Sequence, residues 1–241
     1  MPGFHHSIAD DIYLVIPAAG AYTRKREIEN IEAWVQKNNL KLNKAKTMEV
    51  IFCDTKKKKK AKPPATLDNI NRGNCLKILG VTFTSNLSAS EHIRGVICDC
   101  AQTLYAFRIL RNHGLSEACL HGVFQAVVVA KLMYASPAWI GFTTATDHKR
   151  VDAFLRRAKR TGFCSPDLPP YDELLENADD KLFTNICRNP AHVLRSLLPT
   201  TSLASQHYGL RQRKHSMQLP TRTGHLTDSN IVIRLIYKDM Y

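Results

Sequence analysis

Residues 12–16 (Ile-Tyr-Leu-Val-Ile) form an unbroken apolar run that Pro17 closes, a pattern that predicts a fully buried strand. Residues 1–7 show no pattern. Between residues 22 and 38 the spacing changes, and Ile28, Ile31, Trp34 and Val35 recur at helical intervals until Asn38-Asn39 supplies a stop. Trp34 is read there as a core anchor rather than a base-stacking residue. Alternation over residues 47–53 predicts a second strand, and residues 76–84 (LKILGVTFT) a third, in which Gly80 permits a bulge or a close approach. The order strand, helix, strand, loop, strand belongs to α/β or α+β architecture.

After Leu87 the apolar period becomes 3.6. Ser90 is placed to cap a long helix whose face runs Ile93, Val96 or Ile97, Cys100, Leu104, Phe107 and Leu110, with Gly114 closing it. Two more helices are expected over residues 116–133 and 145–160, the latter with Val151, Phe154, Leu155 and Ala158 on one face. Pro166, Pro169 and Pro170 break the chain again, ahead of an acidic helix over residues 171–188 and a tail over 211–225 rich in Arg, Lys and His. The expected fold class is α+β, with domains at 1–86, 87–164 and 165–241. The first holds a short antiparallel sheet with a helix, the second a helical bundle, and the third a helix with a basic tail.

Composition changes the picture mainly through charge. The 241 residues carry 34 Lys and Arg against 21 Asp and Glu, a net charge of +13, while 44% hydrophobic and 23% charged residues place the chain in the globular range and exclude a disordered one. Two short segments hold most of the excess. Residues 54–62 have six basic groups and one acidic, and residues 149–160 hold Lys149, Arg150, Arg156, Arg157, Lys159 and Arg160 against Asp152 alone. Clustered cations favour a polyanion, since counterion release from phosphates rewards concentrated charge. The competing reading is a solvated surface, and the lysine run at 56–62, followed by Pro63-Pro64, is expected as an exposed loop or an import signal.

Seven cysteines with no C-x-x-C pair argue against a disulfide framework or a zinc ribbon, and His207, His215 and His225 lack zinc spacing. No signal peptide is visible and the apolar runs are shorter than a membrane span. An intracellular protein, nuclear or cytoplasmic, with reduced thiols and no membrane partner is expected.

The candidate chemistry sits at Asp10-Asp11, two carboxylates directly before the apolar run. Magnesium takes few carboxylates plus substrate phosphates, and two-metal phosphoryl transfer needs acids held at one point. A solvated turn is the plainer reading of this pair alone. Its place in a longer series of motifs is informative: I-A-D-D at 8–11, the Trp34 helix, N-N-L-K-L-N-K-A-K-T at 38–47 and L-K-I-L-G-V at 76–81. Next come Q-T-L-Y-A at 102–106, Y-A-S-P-A-W at 134–139 and the basic segment from Arg150 to Arg157. This series resembles the rear palm and the thumb of a non-LTR, LINE-like reverse transcriptase of the jockey type, over roughly residues 8–220.

The resemblance implies an RNA-directed DNA polymerase using Mg²⁺, an RNA template, a DNA primer and deoxynucleotide triphosphates. It makes Asp10 and Asp11 metal-binding catalytic acids and Lys46 a proton donor or phosphate contact. It also gives Lys149, Arg150, Arg156, Arg157, Lys159 and Arg160 to the nucleic-acid backbone. Ile8 stands where the family carries an aromatic residue. Only seven residues precede it, so the fingers and the first palm aspartate are expected to be missing and the polypeptide not to polymerise alone. A noncatalytic nucleic-acid-binding remnant is the alternative.

Overall fold

The computed structural model describes residues 4–8, 11–53, 63–202, 215–222 and 224–238. Asp10, the lysine run and His207 lie outside them. The described chain is 56% helical and 10% strand, a mixed architecture of helices and small sheets compatible with α+β. It divides into two compact units, Met1–Leu76 and Lys77–Tyr241.

In the first unit, β1 (Phe4–Ile8) pairs antiparallel with β2 (Asp11–Val15), Phe4 opposite Val15 and Ile8 opposite Asp11. The strand before Ile8 is not visible in the periodicity. The expected buried character of β2 is not found, since none of its residues is buried and Val15 is 58% exposed. Among the described residues no third strand joins this ribbon to cover it. A 3-10 turn leads into α1 (Arg24–Lys37), which buries Val35 and Glu27 but leaves Trp34 49% exposed, so Trp34 is no core anchor. The short β3 (Met48–Val50) pairs in parallel with β4 (Asn71–Gly73), where Glu49 accepts from Arg72 at 2.7 Å and also pairs with Arg24. Both arginines donate to the Ala65 carbonyl, tying α1 to this ribbon through charge-assisted bonds rather than apolar packing.

The run at 76–84 is not one strand. β5 (Cys75–Ile78) and β6 (Val81–Thr84) pair as a hairpin, because Leu79 (φ 46°) and Gly80 (φ 87°) both turn left-handed between them. Two successive positive φ values make the tight turn that matches strand twist, so Gly80 serves a turn and not a bulge.

The second unit carries the main core. Its longest helix, α2 (Ser90–Asn112), buries Ile93, Val96, Cys100, Leu104 and Phe107, while Leu110 stays 40% exposed; Gly114 at φ 88° follows its end. Ser90 is the first helical residue and not the cap; its hydroxyl donates to Asp147 at 2.6 Å. α3 (Glu117–Val123), capped by the Ser116 hydroxyl, runs through a π-helical turn at Phe124–Val129 into α4 (Ala130–Met133). After the left-handed Ala135 comes α5 (Ser136–Trp139). The stretch Glu117–Phe142 has the length and apolarity of a membrane span, at mean hydropathy 1.5. Leu120, Phe124, Val128, Leu132, Trp139 and Ile140 are buried in the core while Val127 and Tyr134 are exposed, Lys131 pairs with Asp99 at 2.6 Å, and a single such helix indicates no membrane.

α6 (Ala145–Arg160) and α7 (Tyr171–Arg188) fall where the periodicity places them. Val151, Phe154, Leu155 and Ala158 of α6 are buried as expected. α8 (His225–Asp228) and α9 (Ile231–Tyr237) follow, with Val232, Leu235 and Ile236 packing on Phe183 of α7 in a smaller core. Gly141 is where the chain before α6 meets the turn before α9: a Cβ there would overlap the Ser229 carbonyl. Since backbone must move to admit it, Gly141→Ala is expected to destabilise the second unit by about 2 kcal/mol, read as a lower urea midpoint with unchanged slope.

Candidate nucleic-acid interface

The sequence of α6 decides its geometry. Residues 147, 151, 154, 155 and 158 follow the helical period and are buried, so the remaining arc carries every cation. Thr144 caps the helix by accepting from the Asp147 amide, and Asp147 in turn accepts from the Thr144 amide at 3.0 Å. Three basic residues close its last turn, where the negative end of the helix dipole favours them.

The six cations expected to meet phosphate are not equivalent. Lys149, Arg150, Arg156, Arg157 and Arg160 are exposed. Lys149 and Arg160 make no ion pair among the described residues, and Arg156 donates only to its own helix, to the Asp152 carbonyl at 3.4 Å. Arg150 stands 3.5 Å from Asp147, and the Arg157 guanidinium lies 5.9 Å from the Phe154 ring centre. Lys159 is differently engaged. Its ammonium donates to the carbonyls of Pro166 and Leu168, at 3.0 and 2.5 Å, and so fixes the loop leading to α7.

That loop makes a wall. A cleft of about 380 Å³ lies between it and α6, lined by Lys149, Asp152, Leu155, Arg156, Lys159, Pro169 and Pro170. The signal for it is present in the spacing, since 149, 152, 156 and 159 share one flank of a helix, but the proline wall depends on tertiary contact. Asp152 and the two prolines are the site residues that sequence reasoning does not single out.

Asp11 and Lys46, to which the resemblance gives catalytic roles, are not gathered in the same way. Asp11 is exposed and its carboxylate accepts from the Tyr13 hydroxyl at 3.2 Å. Lys46 is exposed in the turn that Asn43 organises, the Asn43 side chain accepting from the Lys46 amide at 3.2 Å. No hydrogen bond or ion pair joins Asp11 to Lys46 among the described residues. Lys44 pairs with Glu32 at 2.8 Å beside a cleft at the end of α1, whose lining does not include Lys46. Asp10 lies outside the described residues, and among those described no group of three His, Cys, Asp or Glu side chains is placed to hold a metal ion.

Next to the cation row, His148 at the start of α6 bonds Asp172 of α7 at 2.7 Å and Thr143 at 3.0 Å, holding the two helix starts together. His92 is buried against Trp139; burial, and then the nearby Lys77 charge, lower its pKa, which keeps the ring neutral at pH 7. No protein-family model, curated protein or solved structure matches this chain.

Proposed function

We propose that this chain is a portion of an RNA-directed DNA polymerase of a mobile element, and that what it does by itself is hold a nucleic-acid backbone along α6 without extending a primer. The observation that carries the binding half is the row of five exposed cations on a helix whose other side is anchored in the core. Such a row keeps its charges in register against phosphates, at little ordering cost on binding. The polymerase half rests on the ordered motifs from A-D-D to the basic segment.

A noncatalytic nucleic-acid-binding protein makes the same demand on α6. The two readings part on chemistry, and poly(rA) primed with oligo(dT) addresses both halves at once. The chain is expected to bind the hybrid with an affinity that falls steeply as salt rises, and to give no extension in Mg²⁺ or Mn²⁺. Extension abolished by Asp10→Ala would overturn the inactivity, and salt-independent binding would overturn the assignment of α6.

A further inference from the structure

The cleft beside α6 contains a carboxylate that a phosphate site has no use for. Asp152 lines it between Lys149 and Arg156, and makes no ion pair among the described residues, although Arg156 is four residues on, at ion-pair spacing. A ligand that offers only a phosphate group is served by the cations alone, and a carboxylate among them repels it. The group that suits a carboxylate flanked by cations is one that brings N–H donors together with a phosphate.

We propose that this cleft binds one guanine nucleotide unit of a single-stranded nucleic acid, with its phosphate on Lys149 and Arg156, its ring against Pro169 and Pro170, and its N1–H and N2–H donating to Asp152. The inference rests on the nucleic-acid reading above and names the ligand of one part of that surface. Volume agrees: about 380 Å³ is at the small end of the roughly 300–1,000 Å³ found for small-ligand clefts. The choice of base is set by donors and acceptors. A carboxylate offers two acceptor oxygens and no donor, and guanine alone among the common bases sets two donors side by side on its pairing edge. Adenine and cytosine put an acceptor beside their amino group, which the second carboxylate oxygen would repel.

A single strand is required because a duplex keeps that edge paired and stacked, whereas an unstacked base enters a cleft and lies on a flat apolar face. The two walls are held for this purpose before any ligand arrives. Lys159 pins the loop at Pro166 and Leu168, and Leu155 at the base of the cleft is buried in the core. Asp152 does not contribute to the buried face of α6, so its replacement leaves the helix and the cation row in place.

Fluorescence anisotropy on the full chain tests this with labelled single strands of alternating thymine and guanine, thymine and inosine, and thymine and adenine. Inosine keeps N1–H and lacks the 2-amino group. The guanine strand is expected to bind about tenfold more tightly than either other strand, and Asp152→Asn to abolish the difference while retaining binding to all three. Guanosine monophosphate is expected to compete for the guanine strand where adenosine monophosphate does not. Equal binding of the three strands, or a guanine preference that survives Asp152→Asn, would overturn the inference while leaving the backbone-binding reading intact. Guanosine monophosphate binding without any preference among the strands would overturn the assignment to a strand. Failure of every strand and of the duplex to bind would remove the underlying reading instead.

Discussion

Asp179→Ala is expected to lower the stability of the second unit by about 2–3 kcal/mol, below the roughly 3–5 kcal/mol of a fully buried ion pair because solvent reaches the 24% exposed Arg234 side chain. The Arg234 guanidinium meets Asp179 through two bonds, at 2.5 and 3.4 Å, and donates a third to the Pro137 carbonyl at 3.2 Å. Asp179 is 6% exposed, and the Arg234 Nε is buried without a partner. Removing the carboxylate therefore leaves a partly buried guanidinium, 24% exposed, with the Pro137 carbonyl as its remaining acceptor. Breaking the pair is what costs, and the pair itself contributes little beyond a well-packed apolar substitute. Asp179→Leu combined with Arg234→Met is accordingly expected to recover most of the loss, and urea unfolding of the two single variants and the double measures the coupling. Single-variant losses that simply add would show that the two side chains act independently.

Asp147→Ala is the second large change, at about 3 kcal/mol, combining a lost helix cap with charge-assisted bonds at a buried site. Asp147 is 1% exposed and accepts from the Ser90 hydroxyl at 2.6 Å, the Thr144 hydroxyl at 2.7 Å and the Thr144 amide, thereby joining the start of α2 to the start of α6. Burial by itself raises its pKa, but the Ser90 and Thr144 donors, with the Arg150 charge, outweigh it and hold the carboxyl below its ordinary value. A depressed folded-state pKa gives stability that is full above the unfolded value of about 3.9 and is lost as pH falls through the lower folded value. The gap between the native protein and Asp147→Asn is thus expected to be constant from neutral pH to about 5 and to narrow below about 4. A gap that widened on acidification would contradict the assignment.

How far each element is legible in the sequence depends on what its pattern encodes. α6 and α7 are readable because their buried positions repeat at 3.6 residues, those of α6 against the large core and those of α7 against the large core and then the smaller one, so period and burial coincide. β2 is readable as a strand but not as an exposed one, since burial depends on a covering layer that no residue in the run encodes. The hairpin at 75–84 is hidden by Leu79, a residue type that seldom takes positive φ. α9 lies beyond the tail expected over 211–225 and goes unread: seven residues give barely two turns, although Ile231, Val232, Leu235 and Ile236 already carry the apolar signal.

The site is half legible for similar reasons. The spacing places six cations on α6, but nothing in it distinguishes Lys159, which holds two carbonyls, from Lys149, which holds none. Trp34 shows the converse, an apolar side chain at helical spacing that the fold leaves half in solvent.

Contact between the exposed cations of α6 and phosphates is read out by the salt dependence of duplex binding. Lys149, Arg156 and Arg160 share one flank and none belongs to the buried face of α6, so replacing all three by Gln leaves the core in place. Each phosphate neutralised contributes about 0.9 to the slope of log affinity against log salt, so the triple variant is expected to lose about 2 to 3 from the native slope. An unchanged slope in the triple variant, with the fold intact by circular dichroism, would contradict the account.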